Sequence, residues 1–158
     1  MISSPNSMNP NLYEAVVSGD INFLKTTKLD ILSEETPQKS TILHIVVGFK
    51  QVEFMKTVIL LYQSLLKRQN SSGDTPFHCA ARNGSCATAE LLISTENVEN
   101  RGKEGSLLRM DNEDGNTALH VAVRNRRRDV AKTLIKADTE PCNRINKDKG
   151  RWALSQET

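Results

Sequence analysis

The chain has 158 residues, of which 37% are hydrophobic and 25% charged, and its net charge is +2. These values are typical of a folded globular domain and exclude an intrinsically disordered chain. No apolar run approaches the roughly 18 residues of a membrane span, and residues 1–10 lack the apolar stretch of a secretory signal. Three cysteines, an odd number, favour a reducing compartment. We therefore expect a cytoplasmic location, or association with the plasma membrane if a longer form exists.

The N-terminal segment carries a weak version of a pattern that returns later in the chain. Tyr13 takes the position that histidine takes in the later segments, and Gly19 follows it by six residues. We predict a first helix here, a second helix over Ile21–Lys28, and disorder in residues 1–9. A terminal unit of a stacked array has one face without a neighbour, so a weak motif is typical of a cap.

A four-residue motif that begins with threonine and ends with histidine opens three later segments, at residues 41–44, 75–78 and 117–120. The histidines are 34 and 42 residues apart, and an isoleucine follows each by 15 residues. A unit of about 33 residues with the pattern T-P-L-H-x-A is typical of the ankyrin repeat. The chain resembles the ankyrin family, which implies an all-α solenoid of helix-turn-helix units with short turn or hairpin tips.

The motif residues have local structural explanations. Threonine is a good N-cap, and proline is tolerated at the first helical position because its missing N–H would be unpaired there. Glycine supplies the left-handed conformation needed in a tight turn or at the end of a helix. The residues that we expect to have these structural roles are Thr41, His44, Gly73, Thr75, Pro76, His78, Gly84, Gly115, Thr117 and His120.

The spacing divides residues 10–145 into four units, near 11–36, 37–69, 70–108 and 112–145. Eight extra residues separate units three and four, and we place them in a long surface connection over 94–108, where added length has a small entropic cost. Residues 146–158 begin an incomplete fifth repeat. The apolar face of unit four (Ala131, Leu134, Ile135) would then lack a full partner, which makes end-to-end self-association an alternative.

No residue pattern indicates catalysis, a metal or a cofactor. The histidines lie one per unit, on layers about 8–10 Å apart, whereas ligands of one Zn²⁺ lie at about 2 Å from it. The resemblance implies instead that each histidine hydrogen-bonds its own turn and the next unit. Cys79, Cys86 and Cys142 lack a partner base by their spacing and are interpreted as inert thiols.

The resemblance implies that turn tips and exposed first-helix positions form a concave face that binds a protein partner of unknown identity. Tip carboxylates would be wet and ordinary in acidity. Phe49 is the best anchor candidate, since aromatic side chains supply much of the binding energy in interfaces. By register the predicted partner-binding residues are Gln38, Ser40, Phe49, Ser72, Asp74, Arg82, Asn83, Glu113, Asp114, Asn116, Arg124 and Asn125.

The basic run Arg124–Arg128 has two interpretations. It is either a solvated turn between helices or a contact for an acidic partner or an anionic surface. Residues 1–120 hold 11 Lys and Arg against 14 Asp and Glu, whereas residues 121–158 hold 10 against 5. No aromatic residue interrupts the run, so base stacking is unsupported and we expect no nucleic-acid partner.

A narrower resemblance rests on three segments, at residues 12–20, 41–45 and 107–120, and on the long connection before the third. They are similar to the plant ankyrin membrane proteins of the accelerated-cell-death type. That resemblance implies defence or stress signalling, with many repeats followed by membrane-spanning helices. The sequence shows no membrane block, so a fragment or a soluble competitor of a longer protein is an alternative to an independent interaction module.

Overall fold

The computed structural model describes residues 9–27, 35–49, 51–96 and 106–138, and these ranges are helical without a strand. This confirms the all-α solenoid. The helices, in pairs from unit one to unit four, are α1 (Pro10–Ser18), α2 (Ile21–Thr26), α3 (Ile42–Phe49), α4 (Val52–Leu61), α5 (Pro76–Asn83), α6 (Cys86–Thr95), α7 (Ala118–Arg124) and α8 (Arg128–Ala137). Two 3₁₀ helices, Gln63–Lys67 and Leu107–Arg109, lie in the connections after the second helices of units two and three.

The helices form two layers. The first helices α1, α3, α5 and α7 pack side by side in chain order, and the second helices α2, α4, α6 and α8 do the same behind them. The residue just before each repeat histidine or its equivalent is fully buried, as Leu12, Leu43, Phe77 and Leu119 show. Each such burial stabilises the fold by about 1.5–3 kcal/mol. Because these side chains lie in one cluster, the units share a core and none has a core of its own.

Capping residues explain where the second helices begin. The apolar residues of unit three recur at helical spacing over Thr88–Ser94, and α6 begins ahead of them at Cys86, where the sequence also places the start of this helix. The Ser85 hydroxyl accepts a hydrogen bond from the Thr88 N–H at 3.3 Å, which fixes the N-cap ahead of the apolar positions. The serine cap therefore accounts for a helix that begins at Cys86.

The apolar face of unit four is mostly covered. Ala131 and Leu134 are buried, and Ile135 is half-buried. The expectation that this face lacks a partner is wrong for Ala131 and Leu134, because α8 packs on α6 and α7. Self-association through unit four stays a prediction, with only Ile135 to support it.

Two polar contacts fix the ends of the long connection between units three and four. The buried Glu96 carboxylate accepts from the Ser106 hydroxyl at 2.9 Å and from the Leu107 N–H at 2.8 Å. Arg109 donates to both carboxylate oxygens of Asp138, at 2.7 and 3.1 Å. Residues 97–105 of the predicted connection over 94–108, residues 1–8 of the predicted disordered segment, the incomplete fifth repeat and Cys142 lie outside the described residues.

Candidate functional site

The repeat histidines connect each turn to the next unit. The Thr75 N–H donates to His78 Nδ1 at 3.1 Å, and the His78 N–H donates to the Thr75 hydroxyl at 3.4 Å, so the two residues cap each other. Because Nδ1 accepts, the ring is neutral with its proton on Nε2, which donates to the Asn116 carbonyl of unit four at 2.8 Å. His44 repeats this geometry with Thr41 and with the Asp74 carbonyl of unit three at 2.8 Å.

Burial keeps these rings neutral. Desolvation lowers the pKa of both His44 and His78 below the ordinary histidine value, although the bonds to the Asp74 and Asn116 carbonyls oppose the shift. In the unfolded chain both rings titrate near a pKa of about 6.5. Below that pH the unfolded chain takes up protons that the folded chain does not, so protonation favours unfolding.

We therefore expect stability to be complete above about pH 6.5 and to decrease as the pH falls towards the lowered pKa values. The free energy of unfolding should change by up to about 1.4 kcal/mol per pH unit for each histidine. Urea denaturation between pH 7.5 and pH 5 measures this. A His78→Gln variant should show a shallower dependence, and a midpoint that is flat or rises towards pH 5 would contradict the neutral, buried rings.

The turn tips form a rigid edge beside the first helices. The Asn70 side-chain oxygen accepts from the Ser72 and Asp74 N–H groups at 2.9 and 3.0 Å, and Asn112 does the same in unit four. Neighbouring tips are bonded through their backbones, from the Ser71 N–H to the Gln38 carbonyl at 2.8 Å and from the Glu113 N–H to the Ser72 carbonyl at 3.1 Å. The tip side chains are thus presented from a fixed backbone.

The predicted partner-binding residues fall into three groups by exposure. The exposed ones are Gln38, Ser72, Arg82, Glu113, Asp114, Arg124 and Asn125, and the half-buried ones are Ser40, Phe49 and Asn83. Asp74 and Asn116 are buried, each with about 3% of its surface exposed. The expectation that all turn-tip side chains are wet is therefore wrong for these two residues.

Asp74 is buried because it joins two units. Its carboxylate accepts from the Asn112 side chain at 3.0 Å and pairs with the Arg82 guanidinium at 3.0 Å. Its carbonyl accepts from both the Asn70 N–H and the His44 ring. The residue therefore holds the tip of unit three against that of unit four, and Arg82 is partly neutralised by it.

Phe49 also has a structural contact. Its ring meets the ring of Tyr13 edge to face, with centroids 6.0 Å apart. Such pairs contribute about 0.5–1.5 kcal/mol beyond their buried area, and this one joins unit one to unit two. Truncating Phe49 would therefore disturb the stack as well as any anchor, so other residues make better probes of binding.

The cysteines and the acidic tips show no catalytic arrangement among the described residues. Burial raises the pKa of Cys79 to about 12, so its thiol is not a nucleophile at neutral pH. Within ranges 9–27, 35–49, 51–96 and 106–138, no group of three or more His, Cys, Asp or Glu side chains could hold a metal ion. In the same ranges, no helix is both long and apolar enough to cross a membrane.

The arginine run is both a turn and a link between units. Arg126 has a positive φ of 59°, and the Arg127 Nε donates to the Arg82 carbonyl of unit three at 3.0 Å. In the same register, Gln51 of unit two donates to the Val17 carbonyl of unit one at 2.9 Å. Each of these side chains passes over the glycine that ends the first helix of the preceding unit. A Cβ on Gly19 would lie 2.8 Å from Gln51, and a Cβ on Gly84 would lie 2.6 Å from Arg127. Sequence reasoning missed this link, although the shared spacing of seven residues from His44 and His120 could have shown it.

A row of exposed positions crosses the first helices, four residues after each histidine or its equivalent. It consists of Val17, Gly48, Arg82 and Arg124, all of them exposed. We call these four residues the helix row. Arg82 and Arg124 are predicted from the sequence as partner-binding residues. Val17 and Gly48 were not predicted, although the register of Tyr13 and His44 gives their place in the row. Together with the turn tips, the helix row is the candidate binding surface.

The comparisons with known proteins agree with this architecture. A family model described as ankyrin repeats in three copies matches residues 12–102, and a model of a single ankyrin repeat matches residues 114–147. The first match alone covers more than half of the chain, so the chain belongs to the ankyrin-repeat family. The fold and the family define a protein–protein interaction module.

One relative supports a closer resemblance within the ankyrin-repeat family. Protein ACCELERATED CELL DEATH 6 of Arabidopsis thaliana is 30% identical over 91 residues, which is 56% of this chain and 14% of that protein. The expected similarity to accelerated-cell-death-type ankyrin proteins is thereby confirmed. The chain aligns with only a small part of this relative's length.

Proposed function

We propose that this chain binds a protein partner through its concave face, which consists of the helix row and the turn tips. The observation that carries this proposal is the contrast between a fixed backbone and varied side chains. Histidine and tip-to-tip hydrogen bonds hold the units together, while the helix row changes from Val17 to Gly48 to two arginines. A surface that is preformed loses little ordering entropy when it binds.

The name of the relative supports a setting for this interaction. We place the chain in plant defence or stress signalling in the cytoplasm. The name of the relative suggests that it acts there as a regulator of cell death. A fragment or soluble competitor of a longer membrane-anchored ankyrin protein would use the same face. In that case the partner would also bind the matching repeats of the longer protein.

Cross-linking to a partner tests which face binds. The purified chain is incubated with leaf extract, treated with an amine-reactive cross-linker, and cross-linked lysines are mapped by mass spectrometry. Lys39 lies at the tip of unit two and Lys132 on the second helix of unit four, and both are exposed. We expect partner cross-links at Lys39 and few at Lys132.

Matched charge reversals provide the control. Asp114→Arg changes an exposed tip of unit four, whereas Glu90→Arg makes the same change on the exposed side of α6. Combined with Ser72→Arg, the tip substitution should reduce capture of the cross-linked partner at least tenfold, and Glu90→Arg should leave it unchanged. Equal capture by all variants, or cross-links mainly at Lys132, would contradict binding through the concave face.

A further inference from the structure

Arg126 occupies a backbone position that units one and three give to glycine. It follows His120 by six residues, the spacing at which Gly19 and Gly84 end the first helices of those two units. Its φ is 59°, against 74° and 73° for the two glycines, and a residue with a Cβ is less stable there than glycine. The side chain is exposed, and no hydrogen bond or ion pair with a described residue holds it. The fold therefore does not explain why this position is an arginine.

Arg127, by contrast, is held in place by a contact with unit three. Its Nε donates to the Arg82 carbonyl at 3.0 Å, at the C-terminal end of α5, where the helix dipole favours a cation. The side chain passes so close over Gly84 that a Cβ on this glycine would lie 2.6 Å from it. Within the described ranges its Nη1 and Nη2 groups make no other bond. They remain as hydrogen-bond donors on a guanidinium that is already oriented.

The two arginines line one cleft between units three and four. The cleft has a volume of about 370 Å³ and is bounded by Gly84 of unit three and by residues 126–130 of unit four. Three arginines against Asp129 give this lining a net charge of +2. Its apolar members are Gly84 and Val130, and Val130 is buried. The cleft is therefore small, cationic and almost without apolar surface.

We propose that this cleft binds the phosphate group of a phosphorylated segment in a partner protein. Guanidinium groups bind phosphate through paired N–H donors. A phosphoserine or phosphothreonine carries a charge of about −1.5 to −2 at pH 7, which matches the net charge of the lining, whereas one carboxylate would balance only half of it. The site lies on the turn between α7 and α8, outside the concave face, so it adds a second contact to the one under Proposed function.

The lining favours a protein segment over the other molecules that carry phosphate. Peripheral binding to a membrane depends on buried apolar area as well as on charge, and this lining has no exposed apolar side chain. Binding to nucleic acid depends on many phosphate contacts along a strand or on aromatic stacking, and the lining is one compact cleft without an aromatic residue. A phosphorylated peptide needs neither, because arginine clusters recognise its phosphate directly.

Fluorescence polarisation with two labelled peptide pools tests the proposal on the full chain. Both pools have random flanking residues, and one is centred on phosphoserine and the other on serine. We expect the phosphoserine pool to bind at least tenfold more tightly than the serine pool. Arg126→Gln should weaken that binding at least tenfold. Lys132→Gln removes the same charge from an exposed position on α8 and should leave the binding unchanged.

An Arg126→Gly variant separates a binding role of this residue from a structural one. Glycine relieves the positive φ, so the variant should melt at a higher temperature than the unsubstituted chain. It should nevertheless lose binding to the phosphoserine pool as Arg126→Gln does. A lower melting temperature with unchanged binding would show that the arginine serves the turn alone, and the proposal would be wrong.

Equal binding of the two pools, or binding of the phosphoserine pool that persists in Arg126→Gln, would overturn the proposal. Arg126-dependent binding to vesicles that contain phosphatidylinositol 4-phosphate, or to duplex DNA, without binding to the phosphoserine pool would overturn it as well. None of these outcomes concerns the concave face. That face is judged by the cross-links at Lys39 and by the Asp114→Arg variant, so the two proposals can fail independently.

Discussion

Replacing His78 with alanine should lower the free energy of unfolding by about 3–5 kcal/mol. The ring is fully buried, and removing a buried ring leaves a cavity that by itself costs about that amount. The substitution also removes the acceptor of the Thr75 N–H and the donor to the Asn116 carbonyl. Each buried group left unpaired costs about 1–3 kcal/mol unless water reaches it. Urea denaturation followed by circular dichroism at 222 nm measures the loss.

Two substitutions at Thr75 provide a graded comparison for His78→Ala. Thr75→Ser keeps the hydroxyl and should cost less than Thr75→Ala, which loses an N-cap worth about 1 kcal/mol. If the alanine variant at His78 loses less than Thr75→Ala, the histidine does not link unit three to unit four in the way described. A loss far larger than that of Thr75→Ala supports the link, because only the histidine reaches the next unit.

Replacing Gly73 with alanine should destabilise the chain by about 2–3 kcal/mol. The residue has a φ of 77°, where a side chain costs about 1–2 kcal/mol. A Cβ would also lie 2.6 Å from the Glu113 backbone nitrogen, so the tip of unit four would have to move. That movement strains the bond from the Glu113 N–H to the Ser72 carbonyl. The same denaturation assay measures the effect.

Substitutions at two other positions serve as controls for Gly73→Ala, because neither should lower stability. One is the same glycine-to-alanine change at Gly48, and the other is the reverse type of change, to glycine, at Lys39. Gly48→Ala is the same substitution at a helical site with open space, and it should raise stability by about 0.5–1 kcal/mol. Lys39 takes the glycine position of unit two with a φ of 60°, so Lys39→Gly should be neutral or stabilising by relief of strain. Equal effects of alanine at Gly73 and Gly48 would contradict the close approach of the tips.

The sequence predicts the stack well because its determinants are local and repeated. Threonine, proline and histidine at fixed spacing specify a capped helix, and the buried residue before each histidine specifies the core. Asp74 and Asn116 could not be assigned in this way. Their burial depends on contacts with units more than 30 residues away along the chain, such as the Asp74 bond to Asn112, and a single-unit pattern does not contain that information.

The candidate binding surface also has residues that the repeat motif predicts and residues that depend on contacts between units. Arg82 and Arg124 are predictable from register, since an exposed helical position repeats with the motif. The contact between Phe49 and Tyr13 was not predictable, because Tyr13 replaces the histidine only in the terminal unit and changes what its neighbour can pack against. Gly48 was missed because it has no side chain that marks it as a contact, although the register of His44 places it in the helix row.

Native-state hydrogen exchange in increasing urea tests most directly whether the units share one core. We expect the slowest amides of α3, α5 and α7 to exchange with one common opening free energy and the same urea dependence, because their buried residues form one cluster. Distinct opening free energies for the three helices, with α5 protected after α3 and α7 have opened, would contradict it.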